Sequence, residues 1–271
     1  MTTSTQWQLA RGAAERYQNI LTPAILGPFA EMLVDFATLQ VGERVVDVGC
    51  GTGAAARYAA EAVGPSGQVM GIDVNAGMLE VARSLPAAQG APIEWREANA
   101  TQLPLDDHSV DVALCAQTLQ FLPEKIIALS EMRRVVTPGG RVAVSLWCDI
   151  EESPYFYTLV ETVTRYIGPD TAVGLKSAFA LSEADEIRGL FKAAGFEQFE
   201  MTISQIDLPL PRLTEFVPRH ISATPMAIGF SQASETVQQT IIWEVAEQLS
   251  HYGTNGQMQI PFRSHLIMVR Q

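Results

Sequence analysis

The sequence predicts an α/β fold in which helices cover both faces of a mostly parallel sheet, with a helical cap added to that core. Short apolar runs alternate with helical stretches through the first 150 residues, the pattern of parallel strands joined by crossover helices. The first, fourth and fifth runs are almost continuously apolar, as expected for strands buried on both faces. A chain of 271 residues, 47% of them hydrophobic, is long enough for one such domain and a modest cap.

The elements of the first half follow one another closely. Strands are predicted at Arg44 to Val48, Gln68 to Ile72, Ile93 to Glu97, Val110 to Leu114 and Gly140 to Trp147. A helix is predicted at Ala54 to Val63, and proline-containing loops at 86–92 and 104–109. Before the sheet, apolar spacing predicts two helices, Trp7 to Asn19 and Pro23 to Leu39.

Helix signals continue after the fifth strand. Ser153-Pro154 is a favourable helix start, and the helix that it opens is predicted to end at Gly168-Pro169. Ser182 to Asp185 opens another helix in the manner of a capping box, which Gly195 stops.

Two further strands are predicted near Phe199 to Leu208 and at Ile260 to Arg270. The segment between them is far longer than a hairpin loop, so Arg212 to Tyr252 is interpreted as an inserted cap. Apolar residues recur four apart in its second helix, Ser234 to His251, which indicates one buried face.

The most informative motif is the strand and glycine-rich turn Val45 to Gly53, with Asp73 at the end of the second strand. Three glycines in this turn let the backbone approach a ligand closely, and the helix that follows offers unpaired N–H groups. The Asp73 carboxylate can accept hydrogen bonds from both hydroxyls of a ribose. These features predict a site for a nucleoside-bearing cofactor.

Two cofactor classes fit this site. Gly49 to Ala54 satisfies the dinucleotide fingerprint G-x-G-x-x-G/A. Asp47, however, places a carboxylate two positions before the turn, where it would repel a pyrophosphate and attract the ammonium group of an amino acid. The residues therefore favour S-adenosylmethionine (SAM) over NAD.

Four more segments resemble the class I SAM-dependent methyltransferases, in particular the small-molecule "methyltransferase type 11" group. They are Asp73 to Leu79, Glu97 to Leu105, Ser109 to Leu114 and Glu131 to Arg141, and the resemblance covers roughly residues 40 to 200. It implies a Rossmann-like seven-stranded sheet whose last strand is antiparallel. It also implies that Met78 lies against adenine and that Asn99, where the family has Asp, contacts the adenine amine.

The motif and the resemblance together give a set of expected site residues. For the cofactor these are Tyr17, Asp47, Gly49, Cys50, Gly51, Thr52, Gly53, Asp73, Val74, Met78, Asn99, Ala100, Cys115 and Gln117. For a methyl acceptor they are Tyr17, Gln117, Gln120, Phe121, Trp147, Arg219 and His220. We expect residues 1–40 to cover the cofactor cleft, 41–211 with 256–271 to form the core, and 212–255, with 150–180, to form the acceptor pocket.

His220 is the one histidine expected to serve as a catalytic base, because His108 precedes the fourth strand and His265 lies in the last strand. Without a flanking acidic partner, an exposed position on a cap helix is the favoured interpretation for His220. No metal site is expected, since Cys50, Cys115 and Cys148 are widely spaced and fit small buried residues at strand ends.

The net charge and the lengths of the apolar runs disfavour several classes of partner. A net charge of -12 disfavours nucleic-acid and anionic-lipid partners. No apolar run approaches the roughly 20 residues of a membrane span, and neither a signal pattern nor a disulfide framework is visible, so a cytoplasmic location is expected. The predicted function is methyl transfer from SAM to a small organic acceptor; a macromolecular methyltransferase, a nicotinamide-dependent oxidoreductase and a non-catalytic cofactor-binding scaffold stay as alternatives, and the oligomeric state is open.

Overall fold

The computed structural model describes residues 10–254 and 257–271, and its centre is one mixed sheet. The strands are β1 (Arg44–Val48), β2 (Gln68–Asp73), β3 (Ile93–Glu97), β4 (Val110–Ala116), β5 (Val136–Trp147), β6 (Gln198–Leu210), β7 (Gly253–Thr254) and β8 (Gln257–Arg270). Their order is β3-β2-β1-β4-β5-β8-β6, and the two-residue β7 pairs with β8. Strands β1 to β5 are parallel, whereas β8 runs antiparallel to β5 and β6. The predicted fold class is confirmed, with β7 as an additional short strand.

The fifth strand begins at Val136, four residues before the predicted start at Gly140. The pairing of β4 with β5 shifts register between Val110 and Val112, and this irregularity lets the Pro-Gly-Gly turn continue within the strand. A side chain at Gly140 would meet the Asp111 carbonyl oxygen at 2.5 Å, so this close approach requires glycine.

Ten helices of six or more residues occur in the described part of the chain. They are α1 (Arg11–Ala37), α2 (Ala54–Val63), α3 (Ala76–Ser84), α4 (Lys125–Val135), α5 (Pro154–Tyr166), α6 (Pro169–Lys176), α7 (Ala184–Ala193), α8 (Leu213–Ser222), α9 (Ala227–Gln232) and α10 (Glu235–Gln248). Helices α1 and α2 pack on one face of the sheet through Leu33, Ala56 and Leu114. Helices α4 and α7 pack on the other face through residues such as Leu129 and Phe191.

Helix α1 is continuous, whereas the sequence predicted two helices separated before Pro23; Trp7 lies outside the described residues. Its middle, Tyr17–Leu26, is π-helical and contains Pro23, and the wider turn accommodates a residue that lacks an N–H. Contrary to the sequence expectation, α1 is long and apolar enough to cross a membrane by length and composition. In this structure 44% of its most apolar window is buried, with Phe29 and Leu33 in the core.

The helices outside the sheet layers form a third apolar cluster. Helices α5, α6, α8 and α10 surround Tyr155, Phe156, Phe216 and Ile241 and pack against Phe262 of β8. Helix α6 was not predicted: Gly168, with a φ of 128°, ends α5 and Pro169 starts the next helix at once. This cluster and α1 enclose the carboxyl ends of the central strands.

Candidate active site

A cavity of about 300 Å³ lies at the carboxyl ends of β1, β2 and β4. The strand order reverses between β1 and β4, which is where ligands bind in open α/β sheets. Of the residues predicted to bind a cofactor, twelve line this cavity: Tyr17, Asp47, Gly49, Cys50, Gly51, Thr52, Asp73, Val74, Met78, Asn99, Ala100 and Gln117. The structure therefore brings together residues that are up to 100 positions apart in the sequence.

The glycines of the turn after β1 have different structural roles. Gly49 and Gly51 have φ angles of 73° and 54°, which favour glycine. A Cβ at Gly49 would lie 2.1 Å from Cγ2 of Thr118, so this glycine lets the loop after β4 approach. A Cβ at Gly51 would meet nothing within 4 Å and Gly51 lines the cavity, so this glycine leaves the cavity open next to the backbone.

Gly53 does not line the cavity, although the sequence assigned it to the cofactor. Its φ is 90°, and a Cβ there would lie 2.2 Å from the ring of Trp95. The same ring lies 2.4 Å from a Cβ built at Gly71. Gly53 thus allows Trp95 to pack over the turn and permits the left-handed residue from which α2 starts.

Asp73 is held by the backbone of the turn that it faces. Its Oδ2 accepts a hydrogen bond from the Gly51 N–H at 2.8 Å, and its Oδ1 accepts one from the Asn75 N–H at 2.8 Å. Burial raises the pKa of this carboxyl group, and the backbone hydrogen bonds lower it in part. Each carboxylate oxygen keeps a second lone pair, so Asp73 can still accept two hydrogen bonds from vicinal hydroxyls.

Asp47 is the most unusual group in the cavity wall, because its side chain is 1% exposed at the end of a buried strand. Oδ2 accepts a hydrogen bond from the Ala56 N–H at 3.0 Å, but Oδ1 is buried and has no hydrogen-bond partner in the described chain. Burial raises the pKa of this carboxyl group to about 7. A cationic group in the cavity would supply the missing partner.

The opposite wall contains the residues expected near adenine. Met78 is held at the start of α3, whose N-cap Asn75 accepts a hydrogen bond from the Met78 N–H at 3.2 Å. Asn99 is exposed, and its Oδ1 accepts a hydrogen bond from the Thr101 N–H at 3.0 Å. The Asn99 amide retains one lone pair on Oδ1 and two N–H donors, so it has both groups needed to pair with an adenine edge.

Cys115 does not reach the cavity. It is fully buried in β4 and its thiol belongs to the apolar cluster beneath α4, because alternate residues of a strand point to opposite faces. Cys50 does line the cavity, and burial raises the pKa of its thiol well above the usual value. No group of metal-ligating side chains is found among the described residues.

A second, smaller chamber of about 70 Å³ adjoins the first. The two cavities share the side chains of Tyr17, Leu26, Gln117 and Phe121. The rest of its wall comes from α1, β5 and the surrounding helices: Leu21, Ile25, Trp147, Phe156, Leu175, Ala178, Phe179, His220 and Thr224. Five predicted acceptor residues, namely Tyr17, Gln117, Phe121, Trp147 and His220, therefore meet in this chamber.

Gln117 stands between the two cavities in a strained conformation, with a φ of 49°. Its Nε2 donates a hydrogen bond to Oγ of Ser264 at 2.9 Å, which fixes the side chain. Its Oε1 is buried and has no hydrogen-bond partner in the described chain. This orphaned acceptor marks the passage between the cavities as a place for a polar ligand group.

His220 is buried, with 1% of its surface exposed, although the sequence favoured an exposed position. Its Nδ1 lies 2.8 Å from the Tyr155 hydroxyl, and the two rings stack with centroids 5.3 Å apart. Burial lowers the pKa of His220 to about 3, so the ring is neutral at physiological pH. The position was readable from the sequence, because His220 continues the apolar stripe of Leu213, Phe216 and Val217 on α8.

Two predicted acceptor residues lie elsewhere. Arg219 is exposed, because it precedes His220 on α8 and projects from the solvent side of that helix. Gln120 is buried, but its Nε2 donates a hydrogen bond to the Gln117 carbonyl oxygen at 2.9 Å, so it supports the loop after β4 and lines neither cavity.

The sequence did not indicate several wall residues. Thr22 lines the larger cavity with a buried Oγ1 that has no hydrogen-bond partner among the described residues. Phe156, Phe179 and Thr224 line the chamber. Phe156 lies in a predicted helix next to a recognisable start signal, yet no local pattern shows that its ring turns toward the sheet.

The chain is similar to known methyltransferases in sequence and to a solved structure in fold. Residues 46–144 match a family described as Methyltransferase domain. An arsenite methyltransferase of Halobacterium salinarum is 33% identical over 67% of this chain, and the match spans 43% of that relative. A demethylmenaquinone methyltransferase of Staphylococcus carnosus is 32% identical over 60% of this chain and 71% of the relative. The YcgJ protein of Bacillus subtilis shares the fold, with a TM-score of 0.58 at 18% identity over 90% of this chain and 98% of YcgJ.

Proposed function

Since the chain belongs to the class I SAM-dependent methyltransferases of the type 11 group, we propose that its larger cavity binds SAM and that its smaller chamber receives a small organic acceptor. The two relatives reported above carry names that refer to arsenite and to demethylmenaquinone, both small compared with a protein or a nucleic acid. The identity of the acceptor is a separate question from the class of the enzyme, because the helices that enclose the chamber set its shape.

The proposed placement of the cofactor rests on one observation: the carboxylates of Asp47 and Asp73 line the same cavity as the open backbone at Gly51. Asp47 offers an unpaired buried Oδ1 to the ammonium group of the methionine moiety. Asp73 offers its remaining lone pairs to the ribose hydroxyls, with Met78 and Asn99 at the adenine end. The residues present therefore fit a ligand with a cation at one end and an adenosyl group at the other.

When bound, the cofactor would supply a sulfonium methyl group whose carbon a nucleophile can attack, with the sulfur as leaving group. The protein's contribution is to hold the acceptor atom in line with the breaking carbon–sulfur bond and to exclude water, and alignment of this kind supplies much of a rate enhancement. Tyr17, Leu26, Gln117 and Phe121 stand at the junction where both ligands would meet. We infer that methyl transfer occurs beside these four side chains.

A chamber of about 70 Å³ favours a small acceptor group over a macromolecule. It adjoins the cofactor cavity, with walls from α1 and the helices after β5, and a net charge of -12 disfavours a nucleic-acid substrate. The arsenite-type alternative has no support in the described residues, because no cysteine lines the chamber and Cys50 alone of the three lines the larger cavity.

Native mass spectrometry of freshly purified protein tests this proposal. We expect a retained SAM or S-adenosylhomocysteine molecule, and a co-purified acceptor would identify the substrate directly. Incubation with SAM and candidate small molecules should then release S-adenosylhomocysteine in amounts equal to the methylated product. Protein that carries no adenosyl ligand and does not bind added SAM would contradict the proposal.

A further inference from the structure

Among the described residues, no charged side chain lines the chamber. The thirteen of them that form its wall include four polar ones, Tyr17, Gln117, His220 and Thr224, and no Asp, Glu, Lys or Arg. A charged group that entered it would lose its hydration without gaining an ionic partner, at a cost of several kcal/mol. The part of the acceptor that occupies the chamber is therefore expected to be uncharged.

The hydrogen bond between His220 and Tyr155 fixes which ring nitrogen faces a ligand. The Tyr155 side chain is fully buried, and His220 Nδ1 is the one partner of its hydroxyl within the described chain. If Nδ1 carried the proton and donated it, the hydroxyl hydrogen of Tyr155 would stay buried without an acceptor, which costs about 1–3 kcal/mol. If the Tyr155 hydroxyl donates to Nδ1, both groups are satisfied and the His220 proton resides on Nε2.

Burial supports the same arrangement. It raises the pKa of Tyr155 well above the usual value, so the hydroxyl keeps the hydrogen that it donates. It also lowers the pKa of His220, so the ring carries one proton rather than two. With Nδ1 engaged by Tyr155, Nε2 is the nitrogen left for a ligand in the chamber.

We propose that His220 is a hydrogen-bond donor rather than a base: its Nε2–H binds a carbonyl or hydroxyl oxygen of an uncharged, largely apolar acceptor, and Tyr155 positions it by fixing the tautomer. This inference rests on the proposed function of the site. During transfer the methyl carbon forms a bond to the acceptor atom and the carbon–sulfur bond breaks with its electrons going to sulfur. The acceptor's proton is released to bulk water after transfer, when the site opens to solvent. His220 does not take that proton, because Nδ1 already accepts from Tyr155 and Nε2 already carries hydrogen.

Nitrogen-15 NMR of histidine-labelled protein tests the tautomer without any acceptor. We expect the His220 signal, assigned by its loss in His220→Gln or by its proximity to the Tyr155 ring, to show a bare Nδ1 and a protonated Nε2. Tyr155→Phe should move this signal toward a mixture of tautomers, whereas His251→Gln, at an exposed histidine, should leave it unchanged. A protonated Nδ1 in the wild-type protein would overturn the proposal, whether or not the variants fold.

Three probes of similar shape test the acceptor class, with S-adenosylhomocysteine present throughout: acetone, acetate and isopropylammonium. Acetone should shift the His220 Nε2–H signal in a saturable way, and the two ions at equal concentration should not. The absence of a shift with acetone, or a larger shift with either ion, would overturn the assignment of an uncharged acceptor. Calorimetric binding of S-adenosylhomocysteine is measured in parallel, so that loss of cofactor binding, which would contradict the proposed function, is distinguished from a wrong assignment of His220.

Once an acceptor is known, kinetics give a second test. Gln places an amide N–H near the position of Nε2 but cannot act as a base, so His220→Gln should keep kcat within about tenfold of the wild type. His220→Phe, which lacks the donor, should lose on the order of 10- to 100-fold in kcat/KM, the effect of one hydrogen bond to a buried group. Equal loss of activity in both variants, with SAM binding intact, would favour a base.

Discussion

The two adjoining cavities are lined by different kinds of chemical group. The cofactor cavity is formed by backbone and carboxylates at the ends of β1 and β2. Asp73 accepts a hydrogen bond from the Gly51 amide of the glycine-rich turn, and Asp47 accepts one from the Ala56 amide of α2. The chamber is formed by uncharged side chains that also belong to the largest apolar cluster outside the sheet layers, such as Trp147, Phe156 and Phe179. Substitutions in the chamber wall should therefore lower the free energy of unfolding with little effect on SAM affinity. Substitutions in the cofactor cavity should act on SAM affinity.

The largest expected effect is the loss of a chamber wall. Trp147 is 3% exposed and contacts the rings of Phe29, Phe156, Phe179 and Phe262. Trp147→Ala should lower the free energy of unfolding by about 3–5 kcal/mol, the usual cost of deleting a large buried ring. Chemical denaturation measures this change, and the Kd for SAM, measured on the folded variant, should stay within a few-fold of the wild-type value. A large loss of SAM affinity at unchanged stability would contradict the comparison.

The buried carboxyl group of Asp47 should make the cofactor-free protein sensitive to pH. Its pKa is raised from 3.8 to about 7, so the folded protein binds more protons than the unfolded chain between these values, and stability falls as the pH rises through this window. At 1.36 kcal/mol per pH unit the decrease is on the order of 4 kcal/mol. Denaturation between pH 4 and pH 8 should show a weaker pH dependence for Asp47→Asn.

A bound cofactor should favour the ionised form of Asp47, whereas burial in the cofactor-free protein favours the protonated form. An ammonium group beside Oδ1 stabilises the carboxylate, so SAM should bind more tightly as the pH rises from 6 to 8, with release of a proton below pH 7. Asp47→Asn should bind SAM more weakly and without this dependence. Equal pH dependence in the wild type and the variant would place the ammonium group elsewhere.

Asp73→Ala should weaken SAM binding by on the order of 1.5 to 3 kcal/mol, because it removes a carboxylate that accepts from ribose hydroxyls. Part of this loss comes from the turn, since the Gly51 and Asn75 amides also lose their acceptor. Asp106→Ala, at an exposed carboxylate before β4, is the control. Isothermal titration measures both, and an unchanged Kd for Asp73→Ala would show that the ribose binds elsewhere.

A matched pair of glycines separates ligand space from backbone strain. Gly51 and Gly139 both have positive φ angles, of 54° and 82°, and a Cβ at either would meet nothing within 4 Å. Alanine at each position should cost about 1–2 kcal/mol in stability through the left-handed backbone. Gly51→Ala alone should also lower SAM affinity, because its Cβ would occupy the cavity. Equal binding by the two variants would contradict the placement of the cofactor against Gly51.

The smallest effect is expected at Arg219. Because this side chain is exposed and lines neither cavity, Arg219→Ala should change the free energy of unfolding by less than about 0.5 kcal/mol and leave SAM affinity unchanged. Thermal denaturation and titration measure both quantities. A substantial loss of activity in this variant would mean that the cap helices move closer to the acceptor than in this structure.

The sequence predicts the cofactor region better than the chamber, and the reason is physical. Strands β1 and β3 have the predicted bounds, and the glycine turn with Asp47 and Asp73 is recognisable because backbone geometry demands particular residues at fixed spacing. The chamber depends on side chains from distant segments. His220 and Tyr155 are 65 residues apart, and no local pattern reports their hydrogen bond.

The spacing of apolar residues in the sequence still indicates which residues of α8 are buried. The apolar stripe of α8 places His220 on its buried face and Arg219 outside it, a distinction that residue type alone does not make. The single helix α1 was harder to predict, because Pro23 is a strong breaker and the π-helical middle that accommodates it has no clear local signal.

A crystal structure with S-adenosylhomocysteine tests the central claim most directly. We predict that the ribose hydroxyls contact Asp73, the amino group contacts Oδ1 of Asp47, and the sulfur faces the junction formed by Tyr17, Gln117 and Phe121. An adenosyl ligand bound away from the two carboxylates, or a sulfur atom directed away from the chamber, would contradict the account.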